Sequence, residues 1–182
     1  MMIPRRTVLT AGFGLALAPR TWAQGDPASA RPREGDLLVR DGDAAATPLT
    51  ADDVAAGAAP IQAWAMEPAG KIVRKGARLN RLLLVRLEID ALAPDTKPLA
   101  AGGIVAYTAI CTHGGCEIEE WLAKERLLVC ACHSSEFDPR NGGQVVDGPA
   151  PRSLPALPLK IVDGHLVVAG AFTTPVGFES AC

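Results

Sequence analysis

Four of the five cysteines and two of the three histidines of this 182-residue chain fall between Cys111 and Ser135. The stretch reads Cys111-Thr112-His113-Gly114-Gly115-Cys116, then thirteen residues, then Cys130-Ala131-Cys132-His133-Ser134-Ser135. Core packing does not concentrate soft ligands in this way; binding a metal does. Each half is a short loop with a Cys and a His, and each loop ends a hydrophobic strand, Ile104-Val105-Ala106-Tyr107 before the first and Leu127-Leu128-Val129 before the second. Such a chain must fold so that two strands deliver their loops to one point. Mixed His and Cys donors are the arrangement expected of an iron–sulfur cluster in which two histidines replace two thiolates on one iron, which makes the chain a carrier of electrons. A structural zinc site and plain disulfides compete. Zinc ribbons pair cysteines at two-residue gaps, and two of these cysteines would be left over.

The flanking sequence supplies short strands and no sustained amphipathic helix. Leu37-Leu38-Val39 reads as a strand closed by the Asp41-Gly42-Asp43 turn. The Ala-rich segment from Ala44 to Pro60 holds a possible helix start at Thr50, with Asp52 and Asp53 behind it, or a loop with one helical turn. Ile61 to Met66 and Arg81 to Ile89 are expected as strands of an antiparallel scaffold with one face buried. Ile118 to Glu125, acidic around Trp121, connects the two ligand loops. Gly142-Gly143 turns the chain into Gln144-Val145-Val146, and Gly148-Pro149-Ala150-Pro151 forms a stiff loop that cannot pair as a central strand. Asp163-Gly164 between Leu157–Val162 and His165–Val168 is a two-residue hairpin signal. The fold class is all-β, with about eight to ten short strands.

The amino terminus stands apart. Arg5-Arg6-Thr7-Val8-Leu9 opens an apolar run to Pro19, and Thr21-Trp22-Ala23-Gln24 suits signal peptidase, so residues 1–23 read as a twin-arginine export signal to the periplasm. The run from Val8 to Ala18 is shorter than the roughly twenty apolar residues of a spanning helix, so a membrane role follows only if the signal is retained as an anchor. Removing residues 1–23 takes away three of 18 basic groups and no acid, leaving 15 against 20 acidic ones, a net charge of −5. That is no electrostatic footprint for nucleic acid. Apolar content of 48% with few aromatics fits one modest core, and an oxidising compartment permits a disulfide beside metal ligands. Residues 24–36 are expected as a flexible leader, 37–172 as the domain, with its cluster-binding part at about 108–155, and 173–182 as a tail in which Cys182 is an odd thiol.

Cys-x-His-x-x-Cys followed by Cys-x-Cys-His-x-Ser, with Gly-Pro-Ala-Pro behind it, resembles the signature of Rieske iron–sulfur proteins. The similarity is strong from Gly103 to Gly170 and general in strand pattern before it. It implies a Rieske fold, antiparallel sheets or a barrel with a small cluster-binding subdomain of two loops. It implies a 2Fe–2S cluster with Cys111 and Cys130 on one iron and His113 and His133 on the other, and a disulfide between Cys116 and Cys132. The imidazoles leave less negative charge on the outer iron, which raises the reduction potential above that of an all-cysteine cluster.

The resemblance also assigns surrounding residues. Ser135 matches a serine whose hydroxyl donates to a cluster sulfur, stabilising the reduced state. Phe137 stands where high-potential members carry a tyrosine that donates to a ligand sulfur, although it also reads as a core aromatic. Gly114 replaces the bulky apolar residue of quinol-oxidising members, and Ala131 and Ser134 replace the commoner proline and glycine. Glu117, Glu119, Glu120 and Glu136 are candidates for an acidic rim that steers a basic cytochrome, or for a solvated loop. His165 reads as a surface residue and Trp121 as packing.

Within the family the pattern is similar to the small subunit of arsenite oxidase. That similarity implies a molybdenum-containing large subunit as partner, a soluble cytochrome or cupredoxin as acceptor, and no substrate turnover by this chain alone. The alternative is the Rieske subunit of a cytochrome bc complex oxidising quinol. A ring-hydroxylating oxygenase needs a second iron on two histidines and a carboxylate, and only His165 remains for it.

Overall fold

A computed structural model describes residues 25–178; the export signal assigned to residues 1–23 and the thiol of Cys182 lie outside the described residues. The described residues form eleven strands: β1 Leu37–Arg40, β2 Ile61–Glu67, β3 Ile72–Val73, β4 Leu82–Arg86, β5 Ile104–Thr108, β6 Glu120–Leu122, β7 Leu127–Cys130, β8 Ser135–Asp138, β9 Gln144–Asp147, β10 Leu159–Val162 and β11 His165–Val168. Among the described residues there is no α-helix, only short 3₁₀ turns, so no helix is long and apolar enough to cross a membrane. Over the described residues the fold is all-β, as the strand pattern predicts.

Seven strands make one antiparallel sheet in the order β10-β11-β1-β2-β4-β5, with β3 paired to β2. The sheet curls until its ends meet: Leu157 N–H donates to Ala106 O at 2.9 Å and Thr108 N–H to Pro155 O at 3.0 Å, tying the entry of β10 to β5. Strands β6-β7-β8-β9 form a second sheet. The Asp163-Gly164 turn joins β10 to β11 with both residues at positive φ, 50° and 82°, the geometry that twists with the strands it links.

Strands β4 and β5 carry both halves of the molecule. Leu82, Leu84, Ile104 and Ala106 point inward with Leu38, Ala63, Ala65, Leu157 and Leu166. The alternate residues, Leu83, Val85, Val105 and Tyr107, point the other way and pack with Ile118, Leu128, Phe137, Leu154 and the two cysteines Cys111 and Cys130. The expectation of one buried face is corrected here: the run Leu82-Leu83-Leu84-Val85 is continuous because both faces are covered, which alternation cannot satisfy. Each fully buried leucine contributes roughly 1.5–3 kcal/mol, so the ligand-bearing sheet is anchored on the main sheet by side chains of the same two strands.

Before β1, Asp36 and Arg74 form a two-pronged pair at 2.5 and 2.9 Å, their side chains only 3% and 5% exposed, and Arg31 reaches Leu79 O at 2.9 Å. Removing one partner of such a buried pair costs about 3–5 kcal/mol. Of the two readings at Thr50, the loop with one helical turn is the one that forms: a single 3₁₀ turn, Ala51–Asp53, where Asp53 accepts from the Thr50 N–H and hydroxyl, both at 2.7 Å. The acidic connection and the segment after the second loop are strands β6 and β8. In β8 only Ser135 and Phe137 face inward, too little apolar signal to mark a strand in advance.

Candidate metal centre

The first ligand loop, Cys111–Cys116, is closed as a tight turn off β5. Cys111 N–H donates to Cys116 O at 2.8 Å, Gly115 N–H donates to Cys111 O at 3.1 Å, and Ile110 pairs with Glu117. The second, Ala131–Ser134, is the connection of the β7–β8 hairpin, with Cys130 and Ser135 opposite one another as the last pair of the ladder. Ser134 turns the chain at φ 55°, an uncommon conformation for a residue other than glycine. A third segment covers both loops. Gly148, at φ +86°, passes so close to the second loop that a Cβ there would lie 2.5 Å from Ser135 Cα and 2.6 Å from Ser134 O. Ala150 N–H donates to Ser135 Oγ at 3.2 Å, and Thr112 Oγ donates to Arg152 O at 2.7 Å.

These contacts sort the soft ligands into two layers. Cys111 and Cys130 are free thiols, each 1% exposed, in the core beneath the loops. Burial pushes the Cys130 thiol up, and neighbouring Cys111 adds to the rise, while the N–H groups of Cys132 and His133 turned toward it pull the other way. His113 is half-buried and His133 exposed; their Nδ1 atoms face each other at 3.2 Å with the rings at 89°. Cys116 and Cys132 are joined as a disulfide, the pairing the resemblance implies. The sulfurs of Cys116, Cys130 and Cys132 lie within 4.8 Å of one another, but the disulfide removes two of them as thiolate donors.

The donor set fits a two-iron cluster held by two sulfurs and two nitrogens. Two imidazole nitrogens 3.2 Å apart can share one metal at about 2.1 Å from each. The two thiols, low-dielectric and screened from water, suit the inner iron. The Ser135 oxygen, fully buried, accepts from Ala150, so its O–H remains to donate toward a sulfur. Phe137 is 0% exposed and packs in the same core as Cys111 and Cys130 without a hydroxyl to give. Gly114 is exposed and a Cβ there would meet nothing within 4 Å.

Other singled-out residues divide. His165 begins β11 on the main sheet, bridged to Thr50, and is not brought to the loops. Trp121 packs against the ligand-side core. Glu119 and Glu120 are exposed, whereas Glu117 is taken up by a salt bridge to Arg81, which also pairs with Asp41 and lies 5.7 Å over the Trp64 ring. Sequence alone did not single out Arg78, which reaches the first loop at Gly115, or Arg81, which pairs with Glu117 just behind it; no local pattern marks an arginine whose target is 36 or 37 residues away.

A family model for the Rieske 2Fe–2S domain matches residues 67–158. The chain is 40% identical over 106 residues to a protein of Haloferax mediterranei named as the Rieske subunit of a respiratory nitrate reductase, covering 57% of this chain and 47% of that one. It is 41% identical over 99 residues to the Rieske iron–sulfur subunit of the cytochrome bc1 complex of Streptomyces lividans, covering 53% and 58%. The chain thus spans about half the length of these relatives. Among solved structures, the soluble domain of Rieske protein II from Sulfolobus acidocaldarius superposes with a TM-score of 0.43 at 25% identity over 55% of this chain and 65% of that one. With the two ligand loops, their disulfide and the family match over half its length, the chain belongs to the Rieske 2Fe–2S family and is an electron-transfer protein.

Proposed function

We propose that this chain is an exported relay subunit in which Cys111 and Cys130 hold the inner iron and His113 and His133 the outer one. The observation that carries this assignment is the pair of Nδ1 atoms facing at 3.2 Å above two buried thiols. The cluster, when bound, supplies a carrier for one electron. The protein supplies its poise and its exit: buried thiols below, imidazoles at the accessible edge, and the Ser135 hydroxyl free to donate. A half-exposed imidazole edge shortens the path to an acceptor, and the second ring nitrogen can hold or lose a proton with the electron.

The donor is a molybdenum-containing large subunit similar to that of arsenite oxidase, and the acceptor a soluble cytochrome or cupredoxin. Glycine at the exposed tip and phenylalanine at 137 support this over quinol oxidation, since the tip offers little apolar surface for a quinol pocket. Residues 1–23 direct twin-arginine export to the periplasm, residues 37–172 form the domain, and this chain alone turns over no substrate. Its curated relatives are named as parts of respiratory complexes, in keeping with a larger partner. A second reading, the Rieske subunit of a cytochrome bc complex, is favoured by the bc1 relatives. Affinity capture of the native protein with mass spectrometry decides: a molybdenum subunit in the eluate supports the first reading, and cytochrome b in its place overturns it.

A further inference from the structure

The outer side of the first ligand loop is held by groups that the ligand assignment does not use. Arg78, in the 3₁₀ turn Arg78–Asn80, donates from Nη2 to the carbonyl oxygen of Gly115. Gly115 is buried at φ +73°, and a Cβ there would lie 2.7 Å from Phe178 Cδ1 and 3.4 Å from Arg78 Nη2. Gly177, just before Phe178, accepts from Arg152 at 2.6 Å, and the Arg152 carbonyl accepts from Thr112 of the same loop. Arg78, Phe178 and Arg152 therefore ring the loop. The turn that carries Arg78 is itself fixed, because the fully buried Asn80 donates to Ala30 O at 2.8 Å and Arg74 O at 3.1 Å.

We propose that Arg78 is a positioning residue for the cluster loop whose fixed positive charge favours the electron-loaded state. This rests on the assignment of Cys111, His113, Cys130 and His133 as ligands. Gly115 adjoins Cys116 and is two residues from His113, so the guanidinium is anchored at the loop that carries an outer ligand. Reduction adds one electron, supplied in the test by an electrode, and neither makes nor breaks a bond. A cation held at a set position stabilises the added negative charge by Coulomb attraction. Because Arg78 is exposed, salt screens part of that attraction.

The test compares midpoint potentials of the wild type, Arg78→Gln and Arg78→Lys by protein-film voltammetry at low and high salt. Glutamine keeps a donor for the Gly115 carbonyl and loses the charge. Its affinity for the electron is expected to fall about tenfold at low salt, or about 59 mV for a one-electron couple. The gap should narrow in about 1 M salt, where the Debye length is about 3 Å. Lysine is expected to stay with the wild type. An unmoved glutamine midpoint, a gap indifferent to salt, or a lysine variant that falls with glutamine overturns the proposal. If the glutamine variant does not retain the cluster, Arg78→Met takes its place as the variant without the charge, and an unmoved midpoint in it overturns the proposal. The paramagnetic signal of the wild-type samples separates the two levels. Loss of mixed-ligand character there sinks the ligand assignment, whereas an intact signal with an unmoved midpoint sinks only this inference.

Discussion

His113 and His133, twenty residues apart in sequence, bring their Nδ1 atoms to 3.2 Å across two loops that share no hydrogen-bonded ladder. Nothing in either loop alone would achieve this. The first loop is fixed by its own turn, by Thr112 on Arg152 and by Arg78 on Gly115; the second by the β7–β8 hairpin and the close passage of Gly148. The Cys116–Cys132 disulfide then joins them. The convergence is a product of the β4–β5 platform beneath, which orients both loops toward one end of the molecule.

Removing the disulfide should loosen that convergence. A crosslink over a sequence separation of 16 restricts the unfolded chain by about 3 kcal/mol. The double variant Cys116→Ser/Cys132→Ser should lose about that much unfolding free energy, with a lower denaturant midpoint, and lose its visible absorbance at lower temperature. Denaturant titration followed by absorbance and circular dichroism measures both, and equal stability would contradict the role given to the bridge.

Two glycines should respond oppositely. Gly148→Ala puts a Cβ against Ser135 backbone at positive φ, a strain of about 1–3 kcal/mol, and should release iron faster at moderate temperature. At Gly114, which is exposed, an added Cβ meets no atom within 4 Å, so Gly114→Leu should fold and load like the wild type. Iron retention timed with a chelator distinguishes them; equal rates would contradict the close passage.

Phe137→Tyr should raise the midpoint potential. The ring is fully buried in the core that also holds both free thiols, and a new hydroxyl donating to a ligand sulfur would stabilise the reduced state. A hydrogen bond worth about 1 kcal/mol more to the reduced state corresponds to roughly 40 mV in a one-electron couple. Protein-film voltammetry measures it, and an unchanged or lowered value would contradict the placement.

Asp41 gives an acid-stability prediction. The Trp64 indole N–H first, and Arg81 second, hold its carboxyl below the usual carboxylate range. A depressed folded-state value means the contribution is present above the unfolded value, about 3.9, and is lost as pH falls through the folded one. Thermal melts of the wild type and Asp41→Asn should therefore differ at pH 6 and converge below about pH 4. A constant difference down to pH 3 would show that the carboxylate's charge plays no part.

Much of the site was legible because its chemistry is local. Six soft ligands in two short loops announce a metal whatever the fold, and the Asp163-Gly164 hairpin announces its own turn. The supports were not legible, since they act at long range: Asp36 finds Arg74 38 residues on, and Arg78 finds Gly115 37 residues on. As residue types these are ordinary surface charges. The β6 and β8 strands were missed for a different reason: β6 only half-buries Trp121 between exposed Glu120 and Leu122, and β8 buries Ser135 and Phe137 between half-buried carboxylates, on a sheet already supplied by β7.

The ligand set is tested most directly by electron paramagnetic resonance of the reduced protein with nitrogen hyperfine resolution, on wild type, His113→Cys and His133→Cys. A low average g with coupling to two imidazole nitrogens, reduced to one or lost in each variant, is the predicted result. A wild-type signal without nitrogen coupling, or a protein carrying zinc and no iron, would contradict it.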